Sequence, residues 1–343
     1  HGGGNEKIRV FCRIRPASRT ESAQSETVVV EKVDEFSVKV ETSRGDREFQ
    51  FDRVFSSEAS QTDLFLDMSL IQSAIDGYNV CIFAYGQTGS GKTFTMVGDK
   101  DQKNPGIMPR TFNAIFDIIT ENRNKFEYRV STYMLELYND RLQDLLVTPT
   151  TAAGSSAAES QQFQAAAHRV EIKRNRKGVV FAQGAEKKDV SNARELYALF
   201  KQACANRHIS ATMNVESSRS HLIVGITVES RNLTNGSVSS GKVSLVDLAG
   251  SERAAKTGAK DHQLKEANFI NKSLSALGDV ISALSAELPH VPYRNSKLTQ
   301  YATRVKNITN IAQRNVESKE IAHLKEMIVK LKSGQTLEDG EDV

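Results

Sequence analysis

The eight residues from Gly86 to Thr93 place the strongest constraint on the fold. They read Gly-Gln-Thr-Gly-Ser-Gly-Lys-Thr and fit the pattern G-x-x-x-x-G-K-[ST]. In this pattern glycines let successive backbone N–H groups face one concavity, where phosphate oxygens are held. The preceding apolar run Val80–Tyr85 predicts a central strand covered on both faces, and Thr93–Met96 can begin a helix. A glycine-rich turn with an incidental lysine is the alternative, but the strand–loop–helix context favours phosphate binding.

The periodicity of the rest of the chain predicts one three-layer α/β domain, with a central mixed, mostly parallel sheet between helices. Asn235-Gly236 is a turn signal between two of the predicted strands. The predicted helices are Gln61–Ile75, Arg110–Asn122 and Ser191–Ala205, and the main predicted strands are Ile8–Arg15, Tyr128–Tyr138, Leu222–Ser230 and Lys242–Leu248.

Residues 5–310 are predicted to form this domain, and residues 1–4 look like a remnant of cloning. Within the domain, residues 148–168 are rich in Ala, Ser, Thr and Gln and cannot bury enough apolar surface to offset their ordering entropy. We therefore expect a mobile surface insertion there. Residues 311–343 are predicted to form a neck-like segment, a basic amphipathic helix and an acidic tail.

Composition excludes several classes of function. The net charge of +3 is too small for a nucleic-acid-binding protein, although it allows a local basic patch aimed at an acidic partner. No stretch approaches the roughly 18 apolar residues of a membrane span. The three cysteines are scattered without metal-ligand spacing, which suggests a reducing compartment.

A second motif supplies the acidic group that a P-loop nucleotidase needs for Mg²⁺. Asp247 ends the apolar stretch Val243–Val246 and is followed by Leu-Ala-Gly. The backbone N–H of Gly250 is then placed to bond a γ-phosphate, and only glycine permits so close an approach. Considered alone, Asp247 fits an ordinary turn at a strand end better than a magnesium site.

Several segments together resemble the kinesin motor family. They occur in the family's order from about Ile8 to Val305, and some belong to the two switch loops that sense nucleotide. They are Arg13–Pro16, the phosphate loop, Asn214–His221, Asp247–Glu252, Asn271–Leu274 and Pro292–Thr299.

The resemblance implies a Mg²⁺- and ATP-dependent motor ATPase with roles for individual residues. It implies a salt bridge between Arg219 and Glu252 that locks the two switches. The implied catalytic set is Asn214, Ser217, Ser218, Arg219, Gly250 and Glu252. The implied nucleotide-binding set is Arg13, Arg15, Pro16, Gln87, Thr88, Gly89, Ser90, Gly91, Lys92, Thr93 and Phe94. The implied Mg²⁺ ligands are Thr93, Ser218 and, through water, Asp247. Surface serines, a solvated ion pair and a core phenylalanine are the ordinary alternatives for single members.

The resemblance also implies that the track is the microtubule, whose surface is acidic. The residues expected to face it follow the second switch and are Lys256, Lys260, Lys265, Lys272, Arg294 and Lys297. In kinesins a few dozen residues separate the Lys297–Thr299 segment from a closing segment that resembles Tyr301–Val305. Here Gln300 is followed at once by Tyr301. This departure from the family predicts a missing segment between residues 300 and 301.

The two ends of the motor region indicate which kinesins the chain resembles. The start Gly4–Arg13 is similar to C-terminal kinesins, which are generally minus-end-directed and dimerise through an upstream coiled coil. Residues 319–332 carry an apolar stripe with flanking lysines, a pattern that suits a calmodulin-like groove. The stripe and its basic neighbour are Ile321, Leu324, Lys325, Ile328 and Leu331. This order resembles the calmodulin-binding kinesins of plants and algae. A helix that docks on the motor or extends a coiled coil is the alternative.

Two other functions compete with a cytoplasmic motor on microtubules. A nucleotide-dependent microtubule-binding module with little motility would lack switch residues, but Lys92, Thr93, Arg219, Gly250 and Glu252 are all present. An unrelated P-loop GTPase or kinase would carry an Asn-Lys-x-Asp motif or a second substrate pocket, and the sequence indicates neither.

Overall fold

The computed structural model describes residues 8–17, 29–67, 70–147, 170–174, 180–210, 219–252, 261–285, 289–301, 316–317 and 327. The strands in these ranges are β1 (Phe11–Arg13), β2 (Val30–Asp34), β3 (Ser37–Thr42), β4 (Gly45–Gln50), β5 (Arg53–Phe55), β6 (Asn79–Ala84), β7 (Phe126–Tyr138), β8 (Arg141–Asp144), β9 (Glu171–Arg174), β10 (Val180–Gln183), β11 (Lys188–Val190), β12 (His221–Asn232), β13 (Val238–Asp247) and β14 (Val316–Glu317). The helices are α1 (Gln61–Asp67), α2 (Ile71–Ile75), α3 (Lys92–Met96), α4 (Ile107–Glu121), α5 (Ala193–Ser210), α6 (Asp261–Ser285) and α7 (Lys297–Tyr301), with a 3-10 turn at Tyr293–Asn295.

A seven-stranded sheet forms the centre of the domain. Its main path is β11-β7-β12-β13-β14, with β8 paired to β7 and β6 paired to β13. The β12–β13 hairpin turns where the sequence predicts it. There the side-chain oxygen of Asn232 accepts the N–H groups of Thr234 and Asn235, and Gly236 has a φ of 69°. Glycine is favoured at that φ because a Cβ would clash with the backbone.

The sheet is mixed, as predicted, but the prediction that it is mostly parallel is wrong. Among the described strands, only β6 with β13 and β1 with β5 pair in parallel, and the other ladders are antiparallel. Strand β12 reaches β13 through only five residues, too short for the crossover that a parallel pair requires. Apolar runs reveal buried strands, but they do not reveal strand direction.

Two apolar cores, one on each face of the sheet, confirm the three-layer architecture. Successive side chains of β12 point to alternate faces of the sheet, so Leu222 and Val224 belong to the first core and Ile223 belongs to the second. The first core includes residues of α1 to α5, such as Leu64, Met96, Phe112 and Phe200, and the second includes Leu274 and Leu277 of α6 and Leu298 of α7. Helices therefore cover both faces.

Strand β6 also contacts both cores, through Val80 and Ile82 on one face and Cys81 and Phe83 on the other. Within the described ranges it hydrogen-bonds to β13 alone, so its predicted central position is not seen there. The predicted helix over 61–75 is divided into α1 and α2, whereas α4 and α5 confirm the other two helix predictions within a few residues. None of the helices in the described part of the chain has the length and apolar character that a bilayer crossing needs.

We expect Gly225→Ala to lower the free energy of unfolding by about 1–3 kcal/mol, because the new methyl group would overlap the Tyr133 ring on the adjacent strand. Gly278→Ala is the matched control, since a Cβ at Gly278 of α6 meets nothing within 4 Å and alanine favours helix. Urea denaturation measures both changes. Equal stabilities of the two variants would contradict this account of the sheet.

Candidate functional site

The phosphate loop connects β6 to α3 in the conformation that its glycines allow. Gly89 and Gly91 have φ angles of 81° and 99°, values that side-chain-bearing residues rarely adopt. The Ser90 N–H donates to the Gln87 carbonyl at 3.0 Å, and the Thr95 N–H donates to the Gly91 carbonyl at 2.9 Å. The loop is thus a tight turn that leads directly into the helix.

Lys92 and Thr93 lie beside Asp247, as the sequence predicts. The Thr93 hydroxyl donates to Asp247 Oδ2 at 3.4 Å, which is a long hydrogen bond. Asp247 is only 5% exposed, and its Oδ1 has no hydrogen-bond partner. Burial raises the pKa of Asp247, while the nearby Arg207 and Lys92 cations oppose this shift. Burial also lowers the pKa of Lys92, against the effect of Asp247 and Glu252.

The hydroxyl of Thr93 and the unpaired buried oxygen of Asp247 fit a Mg²⁺ site. Mg²⁺ prefers hard oxygen ligands and commonly uses one or two protein groups together with phosphates and waters. An orphaned carboxylate oxygen in a buried position is costly unless an ion or water satisfies it. The donor set therefore matches the ion that the motif predicts.

The loop that contains Gly250 packs directly against the phosphate loop. The Ser251 N–H donates to the Gly86 carbonyl at 3.0 Å, and the Leu248 N–H donates to the Ala84 carbonyl at 3.2 Å. A Cβ on Gly250 would lie 2.5 Å from Thr88 Oγ1 and would also overlap the Glu252 carboxylate. A Cβ at this position would therefore displace the Thr88 and Glu252 side chains from each other.

The predicted salt bridge between Arg219 and Glu252 is wrong for this structure. Arg219 Nη1 instead pairs with Glu266 Oε1 of α6 at 3.1 Å, and the Tyr138 hydroxyl donates to Glu266 Oε2 at 2.9 Å. Glu266 is 6% exposed at its side chain. A buried carboxylate left unpaired costs far more than an exposed one, which explains why the arginine turns to it.

Glu252 is bound by the phosphate loop itself. Its Oε2 accepts the Thr88 backbone N–H at 2.7 Å, and its Oε1 accepts the Thr88 hydroxyl. Burial raises the pKa of Glu252, but these hydrogen bonds outweigh that effect and leave the pKa below its usual value. The loop thus already shows its capacity to hold an anion.

Arg13 and Phe94 are brought together on the other side of the phosphate loop. The Arg13 guanidinium carbon lies 5.4 Å from the centre of the Phe94 ring, which is 41% exposed, and burial lowers the pKa of Arg13. Arg15 and Pro16 lie on the exposed segment after β1. The Arg13 guanidinium and the Phe94 ring together provide a flat surface suited to a nucleobase.

Sequence reasoning missed Gln61, which holds Arg13 in place. Its side-chain oxygen accepts from Arg13 Nη1 at 2.5 Å, and its Nε2 donates to the Phe94 carbonyl at 2.7 Å. Gln61 lies in α1, 25 residues before Gly86 at the start of the loop, and no motif marks it. Its burial, with 6% of its surface exposed, is visible only in the fold, so the sequence carried no signal for it.

Basic residues predicted to face a track gather around one pocket. Lys272 of α6, Arg294 of the 3-10 turn and Lys297 of α7 line it together with Arg219. Lys297 Nζ donates to the carbonyl of Asp140 at 2.5 Å in the β7–β8 turn. Lys265 is exposed on α6 and does not line this pocket.

Other predicted residues lie outside the described ranges, so their placement is not tested. They are Asn214, Ser217 and Ser218 of the first switch, Lys256 and Lys260 after the second, and the calmodulin-type residues Ile321, Leu324, Lys325, Ile328 and Leu331. The predicted mobile insertion over 148–168 also lies outside these ranges.

Comparison with known proteins identifies the class of this nucleotide site. The family described as Kinesin motor domain matches residues 13–304. A solved structure of a fast kinesin superposes with a TM-score of 0.75 at 34% identity, covering 91% of this chain and 94% of that one. The motor domain of the Kar3-like kinesin from Ashbya gossypii superposes with a TM-score of 0.70 at 31% identity, covering 95% and 98%. The chain belongs to the kinesin motor domain family, a class of Mg²⁺-dependent ATPases.

Curated relatives narrow the class to the KIN-14 group. Kinesin-like protein KIN-14E of Arabidopsis thaliana is 43% identical over 359 residues, which cover 94% of this chain and 27% of the relative. KIN-14I of Oryza sativa subsp. japonica is 42% identical over 374 residues, covering 98% and 29%. The chain thus spans less than a third of the length of these relatives. Both alignments are longer than the 343-residue chain, so each relative contains residues with no counterpart here.

We expect Thr93→Ala to weaken the Mg²⁺-dependent part of ADP binding by about ten- to hundred-fold, because it removes the hydroxyl that faces Asp247. Thr93→Ser keeps the hydroxyl and is the matched control. A fluorescent ADP analogue titrated at several Mg²⁺ concentrations measures the difference. If Thr93→Ala and the wild type respond equally to Mg²⁺, the assignment of Thr93 as an ion ligand is wrong.

Proposed function

We propose that this chain is the motor part of a protein that couples ATP hydrolysis to movement along microtubules. The observation that carries the proposal is the meeting of two loops at one sheet edge, where the Ser251 N–H donates to the Gly86 carbonyl. This contact joins the phosphate loop to the segment that carries Asp247 and Gly250. Membership in the kinesin motor domain family supports the same function.

The proposed roles of the described residues follow from where they lie, and the roles of Asn214, Ser217 and Ser218 are proposed from the kinesin resemblance alone. Lys92 contacts the β- and γ-phosphates, with the N–H groups of Gln87, Thr88, Gly89, Ser90 and Gly91 around them. Thr93, Ser218 and, through water, Asp247 would hold Mg²⁺, which would neutralise charge on the transferring phosphoryl group. Gly250 donates its N–H to the γ-phosphate. Asn214 and Ser217 orient the attacking water, which needs positioning more than a strong base.

A bound phosphate would compete with the Glu252 carboxylate for the same hydrogen-bond donor. That carboxylate accepts the Thr88 N–H that a phosphate would accept, and two anions at one set of donors repel each other. Entry of phosphate therefore favours departure of Glu252 and with it a change in the Gly250 loop. Arg13, Arg15, Pro16 and Phe94 are proposed to hold the adenine at the other side.

The track surface is proposed to be the basic pocket and the residues near it. Lys272, Arg294 and Lys297 present positive charge beside α6, and Lys265 adds to it along the helix. Lys256 and Lys260 extend the set in the proposal. An acidic filament surface is the complementary partner, and the match steers association more than it adds affinity.

We expect microtubules to stimulate steady-state ATP turnover strongly. Replacing both Lys272 and Arg294 by alanine should raise the microtubule concentration for half-maximal stimulation by about five-fold or more at low salt, with a smaller effect at high salt because salt screens exposed charges. Lys103→Ala is the matched control, since Lys103 is exposed, does not line this pocket and forms an ion pair with the nearby Asp101 at 3.6 Å.

Basal turnover without stimulation would contradict the motor proposal. It would favour instead a nucleotide-dependent microtubule-binding module with little motility.

Direction and assembly are proposed from the KIN-14 likeness. The segment Gly4–Arg13 resembles the start of the motor in C-terminal kinesins, so we propose minus-end-directed movement and dimerisation through an upstream coiled coil. The corresponding location is the cytoplasm and the microtubule cytoskeleton, including the spindle.

We further propose that Ca²⁺-calmodulin regulates the motor through residues 319–332, because Ile321, Leu324, Ile328 and Leu331 form one apolar stripe with lysines around it. A peptide spanning Glu317–Gly334 should bind calmodulin only with Ca²⁺. The same peptide with Leu324→Glu and Ile328→Glu should not bind, since charges replace the stripe. Calorimetric titration without heat from the unaltered peptide would overturn this proposal.

A further inference from the structure

One buried imidazole contacts three segments that the function uses. His221 opens β12, two residues after Arg219, and is 3% exposed. Its Nδ1 accepts the N–H of Ala249, the residue before Gly250, at 2.9 Å. Its Nε2 lies 2.9 Å from Ser273 Oγ in α6, next to Lys272. A single rigid ring therefore joins the end of the first switch, the γ-phosphate loop and the track-facing helix.

The directions of these hydrogen bonds are fixed by their partners. Because Nδ1 accepts from a backbone N–H, the ring hydrogen must be on Nε2, which then donates to Ser273 Oγ. The Ser273 hydroxyl in turn donates to the carbonyl of Ile270 at 2.9 Å. No other placement of the ring and hydroxyl hydrogens satisfies all three hydrogen bonds.

The ring stays neutral at physiological pH. Burial and, secondarily, the Arg207 guanidinium lower the pKa of His221 to about 3. Protonation would place a hydrogen on Nδ1, where it would face the Ala249 N–H, so the neutral form is also the one that the geometry requires. The chain of hydrogen bonds is therefore present throughout the working range of a motor.

A buried histidine that merely fills the core is the ordinary explanation, but the choice of partners argues against it. Both ring nitrogens bond to segments outside β12, namely the backbone before Gly250 and helix α6. Movement of the Ala249–Gly250 backbone must either carry the ring with it or break a buried hydrogen bond, which is unfavourable. A stiff connection of this kind links two equilibria, and such links typically change an affinity or equilibrium by about 5- to 150-fold.

We propose that His221 is a positioning residue that transmits movement of the Gly250 loop to helix α6 through the Ser273 hydroxyl. The proposal rests on the motor function proposed above. It adds a direct route from the γ-phosphate sensor to the track-facing helix that does not require the Arg219–Glu266 pair. It predicts that the connection can be cut at the helix while the nucleotide site stays intact.

The test is Ser273→Ala, which removes the hydroxyl between the ring and the helix but keeps the His221–Ala249 bond. Ser275→Ala is the matched control, because Ser275 lies two positions further along α6 and is exposed. Basal turnover and ADP affinity should change less than about two-fold in both variants. For Ser273→Ala the microtubule-stimulated kcat should fall by about five-fold or more, while the control keeps it. Ser273→Thr, which retains a hydroxyl, should restore most of the stimulation.

Three outcomes would count against the proposal. If basal and stimulated turnover fall together with the melting temperature, Ser273 has a structural role only. If Ser273→Ala is stimulated as strongly as the wild type, His221 does not transmit movement to α6. If the wild type itself is not stimulated, the motor function proposed above is contradicted and this inference falls with it.

Discussion

The candidate site depends on the register of three adjacent strands. In the β12–β13 ladder Leu222 pairs with Asp247, and in the parallel β13–β6 ladder Asp247 pairs with Ala84. The start of β12 and the ends of β13 and β6 therefore meet at one edge of the sheet. The phosphate loop, the Gly250 loop and His221 all follow from this arrangement. A slip of one residue in either ladder would turn Asp247 to the opposite face of the sheet.

Buried charge is concentrated behind this edge. Arg207, on α5, donates to Ser220 and lies 3.7 Å from the buried carboxylate of Glu136 on β7. Burial raises the pKa of Glu136 to about 7, although the arginine opposes this shift. Arg207 also acts on Asp247 and His221. One guanidinium thus lies near three buried titratable groups, and its removal would leave the buried Glu136 carboxylate without its ion-pair partner.

The sequence was informative where local chemistry decides the structure. The phosphate loop, Asp247 at its strand end and the Asn235-Gly236 turn depend on residues close together in the chain, and all three lie where predicted. Strand direction was predicted wrongly, because a buried strand has the same apolar pattern in either orientation, although the short connection with Asn235-Gly236 already indicates that β12 and β13 pair as an antiparallel hairpin. The partner of Arg219 was missed because Glu266 lies 47 residues away and carries no motif. Burial of that carboxylate, visible only in the fold, decides the pairing.

The place at which His221 meets α6 has a mechanical consequence. Helix α6 runs from Asp261 to Ser285, and Ser273 is its middle residue. With a rise of 1.5 Å per residue, each arm extends about 18 Å from that point. A rigid helix that tilted by about 5° about this point would displace its two ends by about 1.6 Å each, in opposite directions. The Ser273 hydroxyl shares the middle of the helix with the packed side chains of Leu274 and Leu277, whereas the Glu266 pair with Arg219 lies nearer the start of the helix, so a displacement at each contact would have a different effect on the two ends.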